Sequence, residues 1–421
     1  MKVTTRLLAA AAASVILLGA GLASPAAHAA DEKSDKDKAA EKKVSKAASK
    51  PLKAAKDAAD AKKYPEALEK LKEAEALPDK TPYDTHVMNE LYGFVYVRTQ
   101  QYAEAAKALE AGLSDGFLEE AEVMSRLKAL AQVNYQIKNY DKAVEFGTRV
   151  MKAGQADDDM ITLISQAYYI KGDYKGTIKF IDDYDDDQIK AGKSPKEQSL
   201  NLVLSSCIKL DDNDCATKSL ERLVAYYPKP NYWQNLLQSI FQQPGMTDKN
   251  LLHVYRLASA VDGLRGADDY MEYAQLSIEA GSPGEAQAIL EKGNSKNVFT
   301  DAKLADRSKR LLENAKKQAD QDRAGLDKIA KDAAAGKTGD KDVSIGLAYI
   351  SYQQYDKAVE AITRGLSKPG VQNQGEANLL LGIAQLGAGH KDEAQKAFNA
   401  VKGDPKLERI ANLWSLHARQ A

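Results

Sequence analysis

The chain has only two cysteines, Cys207 and Cys215, placed on either side of the run Asp211-Asp212-Asn213-Asp214. That separation lacks the CxxC spacing of a metal or redox site. If the acidic run is the turn of a helical hairpin, the two sulfurs lie about equally far from it on facing helices, and a disulfide between them is expected. Outside the leader the histidines are His86, His253, His390 and His417. They are widely separated and show neither HExxH nor any other paired-ligand spacing. The chain has no GxSxG, no P-loop and no Rossmann glycine pattern following a strand. Residues 182–187 hold five acids around Tyr184. They lack the spacing of a calcium loop, so a helix end opening into a solvated loop is expected there. Carboxylates are abundant, but each falls on an expected polar face or in a turn. The residue types that could do chemistry therefore point to no enzyme, no metal and no cofactor.

Function then rests on the elements that carry these residues. The stretch 89–109, NELYGFVYVRTQQYAEAAKAL, is the clearest of them. Gly93 and Tyr96 lie three apart on one expected helix, and Tyr102, Ala105 and Leu109 follow at helical steps on the next. Small residues at Gly93 and Ala105 let two backbones approach, while the large residues fill the space around them. The pattern returns along the chain, with Tyr64, Tyr102, Tyr140 and Tyr174 at intervals of 38, 38 and 34 residues. It appears again as Gly346, Tyr349, Tyr355, Ala358 and Ile362, and as Gly382, Ala394 and Phe398. Random helical sequence does not keep such a rhythm. It resembles the tetratricopeptide repeat. The resemblance implies an all-α, right-handed α-solenoid of helical hairpins, none of which buries its apolar stripe alone.

Composition sets further bounds. A chain of 421 residues exceeds one compact core. Its formal net charge of −1 gives no electrostatic footprint for nucleic acid. Residues 1–29 read as a cleavable signal peptide: Lys2 and Arg6 are positive, residues 7–22 are apolar, and Ala27-His28-Ala29 is the small-x-small site. An uncleaved anchor is the alternative. After cleavage no membrane span is expected, and the protein is exported to the periplasm. Residues 30–50 read as a disordered charged tether.

Hairpins are expected across residues 51–300. The aromatic cluster from Tyr226 to Trp233 serves inter-repeat packing or, alternatively, ligand stacking. Residues 301–340 form a charged connector, either a degenerate hairpin or one long helix bridging two lobes. Residues 341–421 carry further repeats and a final helix with Leu407, Ile410, Leu413, Trp414 and His417 on one side, which would close the open end.

In the family this pattern resembles, first helices line the concave surface. The resemblance places Gln132, Tyr135, Gln166, Tyr169, Gln238 and Gln275 there. Amides that both donate and accept, set beside aromatic rings, suit the backbone of an extended peptide. Lys128 alone does not rebuild the clamp by which some members hold a terminal carboxylate. The reading is a periplasmic scaffold or adaptor that binds a protein or peptide partner. The alternatives are a cell-envelope enzyme acting on cell-wall polymer through a carboxylate site, and an outer-membrane or lipid-associated assembly factor.

Overall fold

A computed structural model describes residues 42–420. The leader at residues 1–29 and the tether up to residue 41 lie outside the described residues. Among the described residues every regular element is a helix.

The chain divides into two compact units, one of residues up to 193 with 205–210, the other of residues 194–204 and 211–421. The first holds α1 (Lys46–Asp60), α2 (Tyr64–Glu75), α3 (Pro82–Arg98), α4 (Tyr102–Ser114), α5 (Glu120–Gln136), α6 (Tyr140–Lys152), α7 (Asp158–Ile170) and α8 (Tyr174–Lys190). Helix α9 (Glu197–Lys209) contributes to both. The second holds α10 (Asn213–Tyr226), α11 (Pro230–Phe241), α12 (Asp248–Ala260), α13 (Ala267–Glu279), α14 (Pro283–Ser295), α15 (Ala302–Ala335), α16 (Asp340–Ser351), α17 (Tyr355–Ser367), α18 (Gln374–Gly387), α19 (Lys391–Asn399) and α20 (Pro405–Ala418).

One turn joins the two helices of most hairpins. Two residues before the second helix of a pair, the backbone takes positive φ at Lys62, Gln100, Lys138, Gly172, Asp211, Gly281, Gln353 and Gly389. The following N–H reaches back to the carbonyl five residues earlier, as in Gln101 N to Tyr96 O (2.9 Å), Asn139 N to Asn134 O (2.8 Å) and His390 N to Gln385 O (2.8 Å). This is the Schellman closure, which satisfies carbonyls that a helix end leaves orphaned. The pair α11 and α12 is joined differently, through a segment containing Pro244 and Gly245.

Contact between paired helices uses the small residues. A Cβ on Gly93 would come within 2.6 Å of Leu109, and one on Gly382 within 2.3 Å of Phe398. In each case the large partner lies sixteen residues after the glycine, so the same register recurs in both units. Ala105, Ala131, Ala143, Ala274, Ala358 and Ala394 are fully buried. Trp233, Tyr270 and Phe398 are among the largest side chains buried completely. Each such side chain contributes on the order of 2–3 kcal/mol of transfer free energy. Trp233 and Tyr232 are thus packing residues of the second unit, not an exposed stacking patch.

Two boundaries and two placements differ from the sequence reading. Helix α1 begins at Lys46 rather than near Pro51, because the Ser45 hydroxyl caps it by accepting from Ala48 N (3.1 Å) and the Ser45 N–H donates to buried Asp84 (2.9 Å). Pro51 lies inside this helix and forgoes only a bond to the exposed Ala47. The acids of residues 182–187 do not end α8, which runs to Lys190. Its acids are balanced within the helix by Lys179 to Asp183 (2.7 Å) and Lys190 to Asp187 (3.2 Å), and the stop comes two residues later, at Gly192 with φ +75°. The charged segment is one 34-residue helix, α15, lying inside the second unit with Ser308, Ala315, Ala319, Leu326 and Ala333 buried. It therefore does not join the two units, whose division falls near residues 194–211. Finally, α20 does not simply cap an open end. It lies against the opening helices of its own unit, where Arg409 meets Glu221 (3.2 Å), Lys406 donates to Pro244 O (2.8 Å), and His417 packs edge-on to Trp233 (6.4 Å between rings).

Candidate functional site

In the first unit, α5 and α7 are first helices of successive hairpins, and each presents the same two positions. Gln132 and Tyr135 on α5, and Gln166 and Tyr169 on α7, are all half-buried. Helix α5 is fixed by Leu127, Leu130, Ala131 and Val133 in the core beneath, α7 by Leu163, Ile164 and Ala167. The Tyr135 hydroxyl donates to Gln166 Oε1 at 3.0 Å, so the two helices are tied across the face. Burial raises the Tyr135 phenol above its ordinary value, which keeps it a neutral donor. Its ring meets Tyr140 edge-on at 5.6 Å, and Tyr169 meets Tyr174 the same way at 5.3 Å. Gln166 accepts through its carbonyl from Tyr135, so its amide N–H groups stay available, and among the described residues the Gln132 amide bonds to no protein group. The corresponding position on α9, Ile208, is 63 % exposed.

The second unit treats the equivalent positions differently. Gln238 is half-buried, with its carbonyl oxygen shielded from solvent and unpartnered, whereas Gln275 is exposed and donates to Glu279 (3.2 Å). Among the described residues no bond joins these two glutamines to each other. The first-helix residues Ile350 and Ile383 line an open pocket of about 380 Å³, together with Trp414 of α20. The unit's own last helix thus contributes a wall to this pocket.

Beside that pocket lies a cluster of charges absent from the sequence reading. Arg256 donates to both oxygens of Glu285 at 2.8 Å, and the Tyr273 hydroxyl donates to the same carboxylate at 2.6 Å. His253 Nδ1 lies 3.1 Å from the Arg256 guanidinium, and its Nε2 lies 3.5 Å from Glu376. Burial pushes the Glu285 carboxyl up, but the Arg256 charge and the hydrogen bonds from Arg256 and Tyr273 outweigh it and hold the group below its ordinary value. Burial takes His253 the other way, below 6.5, despite the nearby Glu376. The two observations on His253 pull in opposite directions, and at 2 % exposure the desolvation of a charged ring prevails over a contact as long as 3.5 Å. The sequence pattern alone assigns such carboxylates to a polar face or a turn. The available signal was α12 itself, whose residues from Leu252 to Ala258 are buried on every side although His253 and Arg256 are among them.

Neither Cys207 nor Cys215 is a free thiol in the structure. Among the described residues no group of three or more His, Cys, Asp or Glu is placed to hold a metal ion, and no helix is long and apolar enough to cross a membrane.

Residues 93–158 match the tetratricopeptide repeat family. No curated protein matches the sequence. Among solved structures, a tetratricopeptide repeat protein from Parabacteroides merdae is similar at 9 % identity, covering 78 % of this chain and 98 % of that one, with a TM-score of 0.27. The TPR2AB domain of yeast Sti1, in its pHSP90 complex, matches at 13 % identity over 71 % of this chain and 97 % of that one, with a TM-score of 0.24. Yeast Tom70 matches at 11 % identity over 92 % and 96 %, with a TM-score of 0.23.

Proposed function

The chain carries tetratricopeptide repeats, and from that premise we propose that it is a periplasmic binding scaffold taking an extended segment of a protein or peptide partner along the first-helix face of its first unit. The observation that carries this reading is the Tyr135 to Gln166 bond at 3.0 Å, which fixes the Gln166 side chain through its oxygen and leaves its N–H donors unspent, as is the amide of Gln132 on the preceding first helix. Extended backbone offers alternating carbonyls and N–H groups, and an amide row answers both. Tyr135 and Tyr169 supply apolar surface for side chains between those contacts. The proposed location rests on the leader composition of residues 1–29.

Substituting Gln132 and Gln166 together by alanine, followed by pull-down from envelope extract, tests the reading. Partner recovery is expected to fall several-fold while the far-UV circular dichroism spectrum stays the same. Recovery equal to that of the unaltered chain rejects the face.

A further inference from the structure

We infer that the second unit carries a separate docking groove for an acidic peptide segment bearing apolar side chains. The groove, about 540 Å³, runs between α10 and α20. It exists only because α20 folds against α10. Arg409 meets Glu221 at 3.2 Å, and Gln420 donates to Ala225 O at 3.1 Å. Its floor is apolar, made by side chains such as Leu416 and by Tyr226, which is 36 % exposed. Its rim is cationic: Lys218, Arg409 and Arg419 stand against one acid, Glu221. Among the described residues neither Lys218 nor Arg419 is paired with an acid, and both are exposed. In a chain whose formal charge is −1, this local excess is not a reflection of composition.

Two cations without an acid partner, Lys218 and Arg419, set with the paired Arg409 over an apolar floor, are complementary to carboxylates flanking a large aliphatic or aromatic residue. The floor disfavours a purely polyanionic ligand, and the concave form disfavours a flat one. The groove is distinct from the first-helix face, since it lies between a second helix and the terminal helix of the second unit.

Fluorescence anisotropy on the full chain tests this, with a fluorescein-labelled peptide alternating glutamate and leucine and a counterpart with lysine in place of glutamate. The glutamate peptide is expected to bind, more weakly as salt rises, and the lysine peptide to fail. Lys218→Glu with Arg419→Glu is expected to weaken binding about tenfold. Gln132→Ala with Gln166→Ala is expected to leave it unchanged, which separates this groove from the proposed scaffold face. If the charge reversals alter the far-UV spectrum, Lys218→Gln with Arg419→Gln replaces them and a smaller loss is expected. No binding of the glutamate peptide, equal binding of the lysine peptide, or binding undiminished in the rim variants overturns the inference. So does preferential binding to phosphatidylglycerol vesicles, which would assign the rim to a membrane surface.

Discussion

Gly346 and Ile362 meet across the α16–α17 hairpin so closely that a Cβ on the glycine would lie 2.2 Å from Ile362 Cγ1 and 3.3 Å from Ala358 O. Cγ1 is attached directly to the branched Cβ, close to the backbone, and cannot swing away as the end of a long side chain does. Gly346→Ala gains roughly 1 kcal/mol of helix propensity but incurs overpacking of about 1–3 kcal/mol. The expected result is a net loss on the order of 1 kcal/mol, read as a lower urea midpoint with unchanged slope. Gly93→Ala is expected to be milder, because its nearest obstacle is Leu109 Cδ2, a terminal methyl.

Among the described residues Glu285 is the only carboxylate bonded to Arg256, whose side chain is 4 % exposed. Glu285→Gln leaves a buried guanidinium without its counter-charge, which costs on the order of 3–5 kcal/mol. Chemical denaturation of the full chain should show a loss of that size in the transition of the second unit. A loss below about 1 kcal/mol would show the pair to be dispensable.

The same cluster makes stability depend on pH. His253 is held below 6.5 by burial, next to Arg256 and facing Glu376 and Glu285, with Lys249 of its own helix paired to Glu376, and burial lowers His417 as well. The neutral ring is the folded form, so above 6.5 nothing is lost. Below it, the unfolded chain takes up a proton that the folded chain refuses, and stability declines. Urea midpoints should therefore fall between about pH 7 and about pH 5, with a shallower fall in His253→Gln.

Cys207 and Cys215 close a short loop through the α9–α10 turn, and Cys207→Ser with Cys215→Ser is expected to lower stability by about 2.5 kcal/mol. Native protein unfolded without reductant should titrate no thiol. Two reactive thiols would contradict the bond.

How far the sequence could be read follows from which interactions are local. The hairpin rhythm was legible because Gly93, Tyr102 and Leu109 repeat at positions that Gly346, Tyr355 and Ile362 reproduce. The turns were only partly legible. Gly172, Gly281 and Gly389 announce positive φ, but Lys62, Gln100 and Lys138 adopt it without announcing it, being held there by the Schellman bonds of the preceding helix. The return of α20 onto α10 and the meeting of Arg256 with Glu285 depend on how successive hairpins stack over long separations, and no periodicity within one helix encodes that. For the same reason Gln238 and Gln275, read as equivalent to Gln132 and Gln166, sit in quite different surroundings. Spacing assigned their register but not their partners, since the Gln238 oxygen is shielded from solvent and Gln275 donates to Glu279.

The most direct test of the binding face is a photo-crosslinking amino acid placed at Ile208, which is 63 % exposed on the first-helix register, and in parallel at Glu145, which is exposed on second helix α6. The account predicts a discrete crosslinked partner from position 208 and none from position 145 when the chain is irradiated in the cells that produce it. Crosslinks of equal yield from both positions, or from position 145 alone, would contradict it.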